Sequence, residues 1–519
     1  MPNYAIFGFF QGDHVNRNVY RNLNRMKPNV KLKCQTDPPL QHAEKQQNIM
    51  HHAQIMKEYK AEQVTAMSAE EPKKQLFGTN GVRGVIGESM NPTLAMKIGL
   101  SLGTIRKGKL AVGMDTRTSG PALINAVKAG ILAAGCDVVD LGVLPTPALQ
   151  YIIKKYYDGG AMITASHNPP EYNGIKIIDA DGTEMDDAST IELEKVLFSE
   201  SYTVRDWKNV GTESSAHERI NEYIDGIVAQ FPKADKEYVI AADPGSGPAC
   251  LTTPVILTKL GCKVHTVNGN CDGRFPGRLP EPSAEGLKAL SELVVSTGAE
   301  FGIAHDGDAD RAVFVDDKGE YVEENEEFAL MLMYLAKNRK DKREGVVVTP
   351  VSTSFIAEAV AKQINCKTVY TKVGSIYVAR KMLELEAKGE NVVFGGEGNG
   401  GLIYPNHQHC RDGGMSAAAM LALISSEGKK LSELRKELPP RHMLREKIYT
   451  KNAAEVLKKT EAAFAGDRLD KTDGIRINRD GMWALIRPSG TEPFMRLFVE
   501  AKTKEEAEKF CNEIKSRIE

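Results

Sequence analysis

Three times along this chain an apolar strand, a loop of Gly, Ser, Thr and Pro, and a helical stretch follow one another. The copies open at Leu110-Ala111-Val112-Gly113, at Tyr238-Val239-Ile240-Ala241 and at Gly345-Val346-Val347-Val348. Each is followed, some tens of residues later, by a strand–polar loop–strand unit. These are M-I-T-A-S-H-N from Met162, F-G-I-A-H-D-G-D-A-D-R from Phe301 and V-V-F-G-G-E-G-N-G-G from Val392. A repeat on this scale limits the topology severely. Continuous apolar strands alternate with helical patterns such as Pro121–Ala134 and Ala284–Ser296, which predicts mixed α/β layers. After Pro439-Pro440 the pattern changes: Ile475–Ile477, Trp483–Ile486 and Met495–Val499 read as antiparallel strands, and Lys502–Ile518 as a closing helix. The expected fold class is therefore α/β: three tandem mixed α/β domains, 73–218, 219–319 and 320–440, then a smaller α+β domain, 441–519.

Residues 1–72 differ in texture, with Asn, Gln, His and Lys crowding out β-branched side chains. They read as a poorly ordered polar extension, against a regulatory or metal-binding arm, or a natural start at Met67. With 67 basic and 69 acidic residues, the net charge of −2 offers no electrostatic case for nucleic acid or an anionic membrane. No apolar run reaches the length of a membrane span, and the first thirty residues show no basic start followed by an apolar core. Eight scattered cysteines without a C-x-x-C point to a reduced cytoplasm and away from cysteine chemistry.

The loops carry the chemistry. In T-A-S-H-N (Thr164–Asn168), Ser166 sits at the tip with little core to pack against, beside His167 and Lys176, groups suited to escort a phosphoryl transfer. Neighbouring side chains on an extended loop point apart, and no G-x-S-x-G elbow surrounds Ser166, so a serine hydrolase is disfavoured. In D-G-D-A-D, alternation along an extended stretch would turn Asp306, Asp308 and Asp310 the same way, an oxygen-only set for a hard divalent cation. A calcium loop of the EF-hand type fails, because Arg311 occupies the glycine position and Asp317 the closing glutamate position.

G-E-G-N-G-G (Gly396–Gly401) contains G-x-G-x-x-G, yet the apolar L-I-Y-P that follows is no helix start for a pyrophosphate. Glu397 and Asn399 fit better as partners for sugar hydroxyls. No G-x-x-x-x-G-K-[ST] phosphate loop is present, which disfavours a nucleotide-fuelled kinase. L-F-G-T-N-G-V-R-G (Leu76–Gly84) reads as a short strand entering a Gly-rich turn whose one charge is Arg83. R-P-S-G-T-E-P (Arg487–Pro493), with Arg496 beyond it, suits a phosphate dianion.

Together, T-A-S-H-N-P with Lys176, D-G-D-A-D-R, the Gly-Glu loop and R-P-S-G-T-E-P resemble, in that order, the α-D-phosphohexomutase superfamily. The likeness covers Leu76 to the C-terminus and is to phosphoglucosamine mutases and phosphomannomutase/phosphoglucomutases of archaeal type. It implies four domains around one central cleft, and an isomerase-class phosphotransferase converting hexose 6-phosphate to hexose 1-phosphate through a phosphoserine. It further implies one Mg²⁺ per site on Ser166, Asp306, Asp308 and Asp310, and hexose 1,6-bisphosphate as activator. Ser166, His167, Lys176, Arg83 and Arg311 would be catalytic. Glu397 and Asn399 would hold the sugar, and Arg487, Ser489, Gly490, Thr491 and Arg496 the idle phosphate.

The opening F-G-T-N-G-V-R-G looks more like phosphoglucosamine mutases than phosphomannomutases. Many bacterial relatives carry Gly-Glu-x-Ser-Gly-His in the sugar loop, where this chain has no histidine, and Val373–Val378 departs from the expected third-domain loop. The alternatives are a phosphomannomutase/phosphoglucomutase, a non-catalytic sugar-phosphate binder, or a metal-dependent phosphatase. Beyond a hexose phosphate substrate, no nucleic acid or membrane partner is expected, in a monomer or a homo-oligomer.

Overall fold

Four β-sheets succeed one another in the computed structural model, which describes residues 74–78, 80–450, 452–488 and 494–518. The polar extension expected at 1–72 lies outside those residues, as do Ser489, Gly490 and Thr491.

In space, the first sheet runs Val82–Val85, Tyr172–Asp179, Gly159–Ile163, Lys109–Met114, Asp137–Val143, Glu213–Ser215. The second runs Ala312–Asp316, Phe301–His305, Val239–Asp243, Lys263–Thr266, and the third Cys366–Thr371, Gly345–Pro350, Asn391–Glu397, Gly401–Ile403. All three share one device. A buried parallel strand (Gly159–Ile163, Phe301–His305 or Asn391–Glu397) pairs with the repeat's opening strand, then the chain turns and comes back antiparallel. The polar loops 164–171, 306–311 and 398–400 are those turns, at the carboxyl ends of parallel strands, where open α/β sheets bind ligands. The sequence repeat is thus a repeat of loop-bearing hairpins.

The fourth sheet is antiparallel throughout: His442–Tyr449, Phe494–Ala501, Met482–Pro488, Ile475–Arg479, Arg468–Asp470. It is backed by the closing helix Lys504–Ile518. These observations give the mixed α/β class with its α+β end.

One expectation reverses. The strand Val82–Val85 follows the Gly-rich turn instead of entering it. Gly81 (φ +86°) lies against the strand Tyr172–Asp179, and a Cβ there would come 2.4 Å from the Ile175 carbonyl oxygen, so the turn must come first.

A single apolar core runs from the first sheet to the third and includes Leu149, Ile152, Ile256, Phe328 and Met420. The helix Gly413–Glu427 threads it, and its small residues permit close approach. A Cβ on Gly413 would sit 2.6 Å from His305 Nδ1 and 2.8 Å from the Arg311 carbonyl oxygen. The last sheet keeps its own core around Phe464, Leu497 and Phe510. It meets the start of the helix Phe355–Gln363 at Glu500, a fully buried carboxylate that accepts from Trp483 Nε1, Ser354 Oγ and, at 2.9 Å, Phe355 N.

Candidate active site

Ser166 holds a left-handed backbone (φ +50°), which costs a residue with a side chain about 1–3 kcal/mol unless its surroundings over-determine it. Here they do. Thr164 Oγ1 accepts from Ser166 N at 2.9 Å and donates to Asp115 Oδ2 at 2.6 Å. The fully buried Arg117 spreads its guanidinium under the loop, donating to the carbonyls of Ser166 (2.8 Å), Asn168 (2.6 Å), Pro169 (2.6 Å) and Tyr172 (2.9 Å). Asp115 neutralises it, with Arg117 Nε 3.1 Å from Oδ2, while burial pushes the Asp115 carboxyl up to about 6. A polar loop tip is thereby made rigid, and Ser166 Oγ, nearly buried, is aimed inward.

Its target is the second loop. Ser166 Oγ donates to Asp306 Oδ2 at 2.8 Å, and Gly307 lies so close that a Cβ would stand 2.2 Å from the Ser166 carbonyl oxygen. Asp306, Asp308 and Asp310 are all buried, with carboxylate oxygens within 4.8 Å of one another. Their convergence is not the alternation of an extended strand. Residues 306–311 form a turn with Ala309 left-handed at φ +60°, held from behind by His305, whose Nδ1 is 3.0 Å from the Arg311 carbonyl. Burial and the charges of Asp310 and Asp308 push the Asp306 carboxyl up to about 7. Oδ1 of Asp308 and Oδ1 of Asp310 are buried without a hydrogen-bond partner, a costly state for a carboxylate and the donor set a hard cation takes.

Cations ring this cluster. Lys176 Nζ, fully buried, lies 2.8 Å from Asp308 Oδ2 and 2.9 Å from Asp310 Oδ2. Burial pulls its ammonium down, but Asp308, Asp310 and Glu184 outweigh it and hold Lys176 above its ordinary value. Arg411 donates to Asp310 Oδ2 at 2.5 Å and lies 3.4 Å from Glu397, at the end of the strand Asn391–Glu397. Burial would raise Asp310, yet Arg411, Lys176 and Arg311 prevail and keep it well below the usual carboxylate range. Arg311 reaches Asp306 at 3.3 Å and Glu281 at 3.1 Å. Arg83 donates to Asn168 Oδ1 at 3.0 Å, and the half-exposed His167 places Nδ1 3.4 Å from Ser166 Oγ.

Profiles of four phosphoglucomutase/phosphomannomutase domains match in succession: α/β/α domains I, II and III at 74–203, 221–319 and 323–442, and the C-terminal domain at 444–516. The chain belongs to the phosphoglucomutase/phosphomannomutase family. A phosphoglucomutase/phosphomannomutase of Thermococcus kodakarensis is 40% identical over 84% of this chain and 96% of its own. A phosphoglucosamine/phosphogalactosamine mutase of Sulfurisphaera tokodaii is 38% identical over 86% and 99%. In fold, a family member from Burkholderia thailandensis superposes with a TM-score of 0.77 at 24% identity, covering 86% of this chain and 98% of that one. Members of this family are isomerase-class phosphohexomutases.

The structure gathers Ser166, His167, Lys176, Arg83, Arg311, the three aspartates and, through Arg411, Glu397 into one cluster. Asn399 Oδ1 is turned to its own loop, accepting from Gly401 N at 3.1 Å. Arg487 and Arg496 are cross-strand partners on the last sheet, with Arg487 3.2 Å from Asp473, which accepts from Val373 N of the third domain. Asp115, Arg117, Thr146, Glu281 and Arg411 were not singled out from the sequence. Thr146 donates to Asp308 Oδ2 at 2.6 Å. The available signal was position: Asp115-Thr116-Arg117 leaves the carboxyl end of a central strand, and Arg411 stands just before Asp412, the N-cap of a buried helix.

Proposed function

We propose that this chain interconverts hexose 6-phosphate and hexose 1-phosphate through a phosphoserine at Ser166 and a hexose 1,6-bisphosphate intermediate, with glucosamine phosphate as the preferred sugar. The observation that carries this reading is the 2.8 Å contact of Ser166 Oγ with Asp306, inside a ring of buried carboxylates and cations. Asp306, Asp308 and Asp310, with their two unpartnered oxygens, fit one Mg²⁺ beside a phosphate oxygen on Ser166. When bound, that ion supplies positive charge that stabilises the phosphoryl group in transit.

A phosphoserine brings about −1.5 to −2 charges, and the loose transition state leaves the protein mainly the tasks of positioning and charge stabilisation. Arg117 fixes the serine loop. Arg83 and Arg311 face the transferring group, while Lys176, saturated by two aspartates, serves as a fixed charge. His167 is the side chain placed to take the proton of the attacking sugar hydroxyl. As the bond from that oxygen to phosphorus forms, the bond to Ser166 Oγ breaks. The bisphosphate then turns end for end; Ser166 Oγ bonds to its other phosphorus, the bond from that phosphorus to the sugar oxygen breaks, and the proton held by His167 goes to the oxygen so released. Glu397 and Asn399 hold the sugar. Arg487 and Arg496, with Ser489, Gly490 and Thr491, hold the phosphate that is not reacting.

The preference for glucosamine follows the opening F-G-T-N-G-V-R-G and the names of several archaeal relatives, which are described as probable phosphoglucosamine mutases. The test is turnover on glucosamine, mannose and glucose 6-phosphates in parallel, with Mg²⁺ and a trace of bisphosphate. A kcat/KM at least tenfold higher for glucosamine phosphate, about 1.4 kcal/mol of discrimination, supports the preference. Equal values make the enzyme a generalist.

A further inference from the structure

Two cysteines, Cys250 and Cys271, lie on neighbouring loops of the second domain. Ser246 N donates to the Asn268 carbonyl at 3.0 Å and Asp272 N to the Ser246 carbonyl at 3.0 Å, which lays the 268–272 segment along the turn that starts Pro248–Leu251. The Gly247 carbonyl accepts from Cys250 N at 3.1 Å and from Cys271 Sγ at 3.7 Å, while Cys250 Sγ reaches the Asn268 carbonyl at 3.6 Å. The Gly247 carbonyl thus brings Cys271 Sγ to the turn that carries Cys250, and the Asn268 carbonyl brings Cys250 Sγ to the segment that carries Cys271. Cys271 is exposed, Cys250 half-buried, and both are free thiols.

From this geometry we infer that Cys250 and Cys271 form a reversible dithiol–disulfide site whose closure acts on the Ser166 loop. The two sulfurs differ as an attacking and a resolving thiol should. Cys271 is the exposed thiol that a disulfide in solution meets first, and the half-buried Cys250 lies behind it to resolve the adduct. A low-molecular-weight disulfide is the oxidant. The Cys271 thiolate attacks one of its sulfurs, giving a mixed disulfide and releasing one thiol. Cys250 then attacks the Cys271 sulfur, the mixed bond breaks, and a second thiol leaves with the Cys250 proton.

The coupling to the active site is steric. A disulfide holds its sulfurs about 2.0 Å apart and so ties the 268–275 segment to the turn at Pro248–Leu251. It has no slack there: a Cβ on Gly273 would stand 2.0 Å from the Thr116 carbonyl oxygen and 2.6 Å from Arg117 Cα. Thr116 Oγ1 donates to the Ser246 carbonyl at 2.9 Å, and the Phe275 ring lies 5.2 Å from the guanidinium of Arg117, which holds the serine loop.

The experiment treats the reduced full-length protein with oxidised glutathione, traps remaining thiols by alkylation, maps the peptides and assays mutase turnover on the same samples. The expected result is a Cys250–Cys271 cross-linked peptide, at least threefold lower turnover, and recovery with dithiothreitol. Cys250→Ser should stop at a glutathione adduct on Cys271, and Cys271→Ser should keep both its Cys250 thiol and its turnover. Two results overturn the proposal: both cysteines still alkylated after oxidation, or a formed disulfide with unchanged turnover. The peptide map does not depend on the proposed sugar chemistry, so failure of that chemistry would be seen separately.

Discussion

Arg117 and Ser166 are joined by a single charged hydrogen bond, Arg117 Nη2 to the Ser166 carbonyl at 2.8 Å, and the same guanidinium holds three further carbonyls of that loop. Ser166 is therefore positioned by a buried side chain that holds its loop from beneath. Arg117→Lys keeps the charge but not the fork. We expect kcat to fall about 100-fold, the cost of a misplacement of roughly 1 Å, with KM nearly unchanged. Steady-state kinetics on a variant with native circular dichroism reads this, and a KM effect with intact kcat would contradict it.

Asp310 takes Lys176, Arg411 and the cluster's charge onto one carboxylate. Asp310→Asn should weaken Mg²⁺ binding at least tenfold, about 1.4 kcal/mol, measured by titration calorimetry. Undiminished affinity would remove the aspartate cluster as the metal site.

Glu327 is fully buried and neither of its carboxylate oxygens has a hydrogen-bond partner. Burial, then Glu324 and Glu323, push it well above its ordinary 4.5. A carboxyl raised in the folded state is carried neutral, so stability is lost as pH climbs above the unfolded value, by at most about 1.4 kcal/mol per pH unit, until the folded group ionises. Glu327→Gln should remove this loss. Its stability relative to the parent, from urea unfolding, should grow between pH 5 and 7, and a difference independent of pH would refute the assignment.

Gly413 opens the central helix against the back of the metal loop, where a Cβ would meet His305 Nδ1 at 2.6 Å. Gly413→Ala overpacks that contact, at a cost of about 1–3 kcal/mol. Thermal unfolding should shift downward and Mg²⁺ affinity should fall with it. An unshifted melting curve would mean that the helix yields freely.

Sequence reading reached these loops because residue type and spacing are local signals: Ser166, the D-G-D-A-D triad and, through Arg411, Glu397 do come together in one cluster. The hairpin repeat was legible because buried parallel strands need long apolar runs. What escaped is tertiary. Arg117 and Arg411 look like ordinary charges until the fold buries them against carbonyls and Asp310. The aspartates meet through Ala309 in a left-handed turn, which no period-two pattern announces. The strand Val82–Val85 follows its turn because Gly81 must lie on a strand nearly a hundred residues away. Cys250 and Cys271 lack any motif, and only the crossing of two loops pairs them.

The central claim is that Ser166 itself carries the phosphate. Enzyme labelled on Ser166 with radioactive phosphate should be mixed with unlabelled hexose 6-phosphate, quenched on the turnover timescale, and its serine peptide and sugars separated. Label should leave the Ser166 peptide and appear in hexose bisphosphate at least as fast as kcat, and Ser166→Ala should neither label nor turn over. Label that stays on Ser166 while product accumulates, or full turnover by Ser166→Ala, would contradict it.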